Sequence, residues 1–80
     1  MTEEDVKKEL MRSRTPSRRD DGYNLKFEDM EFSMWPDYRN DCWVYSLPNG
    51  DISDTTFEDG CIESFFYYIK MNYPERFEAR

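Results

Sequence analysis

Apolar residues recur along this chain with two different periods, and the change between them sets the expected elements. Across residues 58–74, Ile62, Phe65, Phe66, Ile69 and Tyr73 return at helical spacing. At about 100° per residue they share one face, which predicts an amphipathic helix that covers a sheet. From Tyr23 the period is two: Tyr23, Leu25 and Phe27 alternate with polar residues, and Met30, Phe32 and Met34 continue on the opposite parity. That slip of one at Glu28-Asp29 calls for a bulge or a tight turn. Glu-Asp is poor chemistry for a two-residue hairpin, so one bulged strand is expected. Trp35-Pro36-Asp37-Tyr38 should end it, because Pro36 cannot donate to a ladder.

Residues 42–47 are the strongest strand, with Trp43, Val44 and Tyr45 all β-favouring. Leu47-Pro48-Asn49-Gly50-Asp51 then predicts a hairpin: Pro presets the first turn position, Asn tolerates the second, and Gly supplies a left-handed residue. The returning strand spans residues 52–57. Thr55 and Thr56 each precede an acid by three residues (Glu58, Asp59), so two helix starts compete, with Gly60 in the first turn weakening either. Pro74 stops the helix, and Pro74-Glu75-Arg76-Phe77 should turn Phe77 back onto the body.

At the other end, Thr2 and Asp5 form a capping box, followed by a thin apolar side of Val6, Leu10 and Met11. Such a helix is marginal by itself. Arginines at 12, 14, 18 and 19 surround Thr15, Pro16 and Ser17. With no aromatic among them, residues 13–19 read as a solvated hinge pairing loosely with Asp20 and Asp21, in preference to a phosphate-binding arm. The expected fold is therefore α+β: a small antiparallel sheet of about three strands, covered by the C-terminal amphipathic helix, plus a loosely packed N-terminal helix. Residues 1–19 are helix and basic linker, and residues 20–80 one compact α+β domain.

Composition adds two things. Six Phe, six Tyr and two Trp in 80 residues exceed what so small a core holds, so some rings must lie at its rim or outside. The charge is also uneven: residues 1–19 carry a net +2, residues 20–63 a net −10, and residues 64–80 a net +1. A block that negative repels nucleic acid and anionic membrane and attracts basic surfaces. No run of 18 apolar residues occurs and the charged N-terminus lacks a signal-peptide pattern, so a cytoplasmic setting with Cys42 and Cys61 as free thiols is expected.

Candidate chemistry is sparse. The chain has no His, and two Cys alone cannot build a structural zinc site. The three separated glycines make no phosphate loop, and the calcium-loop pattern tried on Asn49-Gly50-Asp51-Ile52-Ser53 fails, with Asp54 where Gly is required and Gly60 where Glu is required. Carboxylate pairs are too numerous to single out an acid/base pair, so neither an enzyme nor a cofactor is expected.

The acidic block is more informative. Glu28, Asp29, Glu31, Asp37, Asp41, Asp51, Asp54, Glu58, Asp59 and Glu63 fall on strand ends, turns and the helix start, with Trp35, Tyr38, Trp43, Tyr45 and Phe57 among them and Trp35 and Tyr38 the expected anchors. A solvated, solubility-giving surface is the plain reading. Carboxylates spaced among rings also suit a nucleic-acid-binding groove in place of its ligand. On the long helix, Tyr67 and Met71 lie four residues apart, turned away from the apolar stripe, as interface residues do. The expectation is thus a small protein-binding inhibitor, a nucleic-acid-mimicking decoy for the basic site of a larger protein, with no direct contact to nucleic acid or membrane. Small acidic phage proteins that act against restriction or CRISPR systems offer the analogy, of size and charge only. The alternative is an antitoxin-like, immunity-like or homodimeric regulatory module, joined through the Tyr67–Met71 face or an open strand edge.

Overall fold

The computed structural model describes residues 2–17 and 21–77, so Arg18, Arg19 and Asp20 of the expected hinge lie outside the described residues. Helix α1 (Glu3–Arg12) leads into a five-stranded antiparallel meander of β1 (Thr15–Pro16), β2 (Tyr23–Phe27), β3 (Met30–Asp37), β4 (Cys42–Ser46) and β5 (Ile52–Thr55). Helix α2 (Glu58–Asn72) and a 3-10 turn (Pro74–Arg76) follow. The spatial strand order is the chain order, β1-β2-β3-β4-β5.

The α+β class stands, but the expected count of about three strands does not. Two sequence features hid the others. Glu28-Asp29 is a two-residue hairpin, not a bulge: Phe27 pairs directly with Met30, which puts both on one face and explains the change of parity. Glu28 accepts a φ of 58° to make this turn. The supposed hinge contains β1, whose Thr15 and Pro16 pair with Asn24 and Tyr23 at the sheet edge, where proline is tolerated. Nor does Pro36 end β3. It lies past the last β2 pair, Tyr23 with Met34, and the strand continues beside β4, with Pro36 opposite Trp43 and Asp37 opposite Cys42.

Both helices pack on the same face of the sheet, α1 against β2 and α2 against β3, β4 and β5. The N-terminal helix is not loosely packed. Thr2 caps it reciprocally with Asp5 as expected, and Val6 and Leu10 are fully buried in one cluster with Leu25, Phe32, Met34, Phe65 and Ile69. Two residues suffice to anchor α1 because the adjoining segment is fixed too: Ser13 Oγ donates to the Leu10 carbonyl (2.7 Å) and accepts the Lys26 N–H (2.8 Å). Three ion pairs lace α1 and the residue after its cap to α2 in antiparallel order: Glu3 with Lys70 (2.7 Å), Lys7 with Glu63 (3.1 Å) and Arg14 with Glu58 (3.0 Å).

The core is ring on ring. Phe65 meets Phe32 at 4.7 Å between centroids and Tyr45 at 5.7 Å edge-on, while Phe77 returns to Phe66 at 5.6 Å, as expected from Pro74. The stripe on α2 gains Cys61 beside Ile62, Phe65, Phe66 and Ile69, and Tyr73 closes it half-buried. Neither threonine caps α2: Phe57 occupies that position with no side-chain hydrogen bond. The hairpin of residues 47–51 is as expected, with Leu47 N–H to Asp51 O and Gly50 N–H to Leu47 O at 2.9 Å each, and Gly50 at φ 95°.

Candidate functional site

An antiparallel meander sends alternate connections to opposite ends of the sheet. The approach to β2, the β3–β4 turn and the β5–α2 junction therefore meet at one end, although they are far apart in sequence. That convergence sets Asp21, Asp37, Asp41 and Glu58 around a cleft of about 360 Å³, with Tyr23 and Trp43 in its walls. Asp21 and Asp41 take left-handed φ values of 59° and 54°, a conformation Asp accepts more readily than most residues.

Hydrogen bonds fix much of this end. Tyr38, 73 % exposed, donates its hydroxyl to Asp21 Oδ2 at 2.7 Å. Asn40 donates its side-chain amide to Asp37 at 2.8 Å and its backbone N–H at 3.3 Å. Those donors, the side-chain amide foremost, hold the Asp37 carboxyl below the usual aspartate range. Arg14 closes one side: its guanidinium pairs with Glu58 and lies 4.5 Å from the centre of the Tyr23 ring. Cys42 lies half-buried in the wall, and its thiol is pushed up by burial first, then by Asp37, Asp54 and Asp41. Among the described residues, no group of three His, Cys, Asp or Glu side chains is placed to hold a metal ion.

The structure brings together four of the residues singled out from the sequence: Asp37, Asp41, Glu58 and Tyr38. The others are dispersed. Glu28 and Asp29 make the β2–β3 turn and Asp51 belongs to the β4–β5 turn, all at the opposite end. Glu31, Trp35 and Asp54 belong to the sheet face away from the helices, as their pairings with Lys26 and Val44 require. Asp59 is exposed in the first turn of α2, and Glu63 pairs with Lys7. Tyr67 and Met71, 63 % and 64 % exposed, border a groove of about 510 Å³ floored by Tyr45, Leu47 and Tyr68.

Sequence reading places Trp43 among the acids but misses Asp21, Tyr23 and Arg14 as parts of this site. The sequence places Asp21 beside the arginines of residues 13–19, of which Arg18 and Arg19 lie outside the described residues; the structure shows it accepting the Tyr38 hydroxyl. The available signal was positional: in a meander, residues just before β2 and just after β3 share an end, and this becomes visible only with the correct strand count. No helix among the described residues is long and apolar enough to cross a membrane. Comparison with protein-family models, curated protein sequences and solved structures gave no match to this chain.

Proposed function

We propose that this chain binds a larger protein and blocks its basic nucleic-acid site, with the acidic end of the sheet taking the place of phosphates. The supporting observation is the convergence of Asp21, Asp37, Asp41 and Glu58, from three distant segments, around one cleft beside the exposed Tyr38. Charge distribution adds to it, since residues 40–69 contain no Lys or Arg. Fixed carboxylates on turns cost little ordering on binding, and an exposed tyrosine suits the centre of an interface. On this reading the protein is a decoy inhibitor of the anti-restriction or anti-CRISPR kind, not a catalyst, and works without a cofactor.

The test is affinity capture from the source cell at two salt concentrations, followed by competition with nucleic acid. Affinity for the captured target should fall steeply with salt and nucleic acid should displace the protein. Asp37→Asn, Asp41→Asn and Tyr38→Ala should each weaken binding, while Glu28→Gln, at the far end, should not. Salt-insensitive binding, or a ternary complex with nucleic acid still bound, removes the reading. A regulatory module that binds through α2 is the second reading, favoured by the exposure of Tyr67 and Met71 together on one helix face.

A further inference from the structure

Strand β5 forms an edge of the sheet: β4 pairs with it on one side, and no strand pairs with the other among the described residues. Its hydrogen-bonding phase follows from the hairpin. The Leu47 N–H to Asp51 O bond makes those two a bonded pair, so Tyr45 and Ser53 form the next one. The N–H and C=O of Ile52 and of Asp54 therefore point outward, away from β4. Exposed apolar side chains stand at both ends of this edge, Ile52 within it and Phe57 just after it, 65 % and 72 % exposed. On the helix side, Ser53 lies opposite Tyr45, which floors the groove bordered by Tyr67 and Met71.

Charge decides what can cover this edge. Asp51, Asp54 and Asp59 flank it, and the nearest basic residues in sequence are Arg39 and Lys70. Natural edge strands are commonly guarded by lysine against self-association. Here the guard is negative, which rejects one class of strand and admits another. Pairing β5 with the same strand of a second copy sets Asp51, Asp54 and Asp59 against their own duplicates, with no cation from residues 40–69 of either chain to offset them. A strand rich in Lys or Arg finds opposite charge, free backbone groups and an apolar groove within reach of its alternate side chains.

We propose that β5 is a docking edge for an extended basic segment of a partner protein, which adds a sixth strand and lays its apolar side chains toward the Tyr45–Met71 groove. The groove shares no residue with the acidic cleft; the two surfaces adjoin only at the β5–α2 junction, and either can fail without the other.

The test uses a synthetic peptide of about eight residues alternating Lys and Leu, the same peptide N-methylated at alternate positions, and a Glu-Leu version. Saturable binding is expected for the first alone, with at least a tenfold loss on N-methylation or charge reversal. Amide exchange should slow at Ile52 and Asp54. Tyr67→Ala and Met71→Ala, at exposed positions that leave the fold intact, should weaken binding severalfold. Asp37→Asn should leave it unchanged. Equal binding of the N-methylated peptide, absence of protection at Ile52 and Asp54, or no saturable binding overturns the proposal. So does a protein that doubles its mass through β5 with no gain from the Lys peptide.

Discussion

Gly60 sits directly against Thr55. A methyl group at Gly60 would overlap Thr55 Oγ1 and stand 2.9 Å from Cγ2 and 3.0 Å from Cβ. The helix start and the end of β5 can approach this closely only without a side chain at position 60. Replacing glycine by alanine inside a helix ordinarily stabilises by about 1 kcal/mol. Here overpacking reverses the sign, and Gly60→Ala should destabilise by about 1–3 kcal/mol in urea denaturation. Adding Thr55→Gly should recover part of the loss, giving a favourable coupling in a double-mutant cycle. Additive effects would show that the contact is not limiting.

Glu28 holds a left-handed conformation, φ 58°, at the first position of the β2–β3 turn. That conformation costs a residue with a Cβ about 1–2 kcal/mol, while glycine adds about 0.5–1 kcal/mol of backbone entropy to be lost on folding. The balance favours Glu28→Gly by about 0.5–1 kcal/mol, measurable as a higher denaturation midpoint with an unchanged slope.

Leu10 anchors the N-terminal helix and is fully buried. Leu10→Ala should cost about 2–5 kcal/mol. Phe65→Ala, which removes the ring between Phe32 and Tyr45, should cost about 3–5 kcal/mol and leave little folded protein in so small a domain. Were α1 only loosely attached, Leu10→Ala would change the stability by only about a few tenths of a kcal/mol. Thermal and urea unfolding followed by circular dichroism separates these outcomes.

Stability should fall at both ends of the pH scale, for opposite reasons. Glu3 is lowered by its hydrogen bond and ion pair with Lys70, Asp5 by the Thr2 backbone and hydroxyl, and Asp37 by Asn40. Each has a folded value below its unfolded one. Their contribution is therefore present above the ordinary carboxylate range, about 4, and is lost as pH falls through the lowered values. Cys61 behaves inversely: burial first, then the Glu58 charge, pushes its thiol up to about 12. Its contribution is complete below the unfolded thiol value of about 8.5 and disappears as pH rises toward the folded one. Urea midpoints should decline above that unfolded value, and Cys61→Ala should flatten the decline. A thiol reagent should modify half-buried Cys42 well before buried Cys61, and the two should react at similar rates only once the protein is unfolded.

The sequence displays the elements whose chemistry is local. The α2 stripe, the Thr2–Asp5 capping box, the hairpin of residues 47–51 and the return of Phe77 each follow from side chains within a few positions. What stayed hidden depends on partners far away. Thr15-Pro16 is a strand only because Asn24 and Tyr23 lie beside it, and Glu28-Asp29 turns tightly against its own preference because Phe27 and Met30 must both reach the core. Pro36 stays in β3 because that stretch has lost its β2 neighbour. The candidate site follows the same rule. Asp37, Asp41 and Tyr38 are adjacent in sequence, but Asp21 and Glu58 join them only once every strand is in place.

The ion pairs between the helices also bear on kinetics. Glu3–Lys70, Lys7–Glu63 and Arg14–Glu58 join residues 67, 56 and 44 positions apart, spanning nearly the whole meander. Contacts that close such long loops form late, after the hairpins have shortened the chain between them. Interactions absent from the transition state act on the rate of leaving the native state, not on the rate of reaching it. Added salt, which screens these exposed pairs, should therefore speed unfolding while leaving refolding almost untouched. On this account the three ion pairs act as a latch: they would not hasten the protein's folding, but would lengthen the time it stays folded.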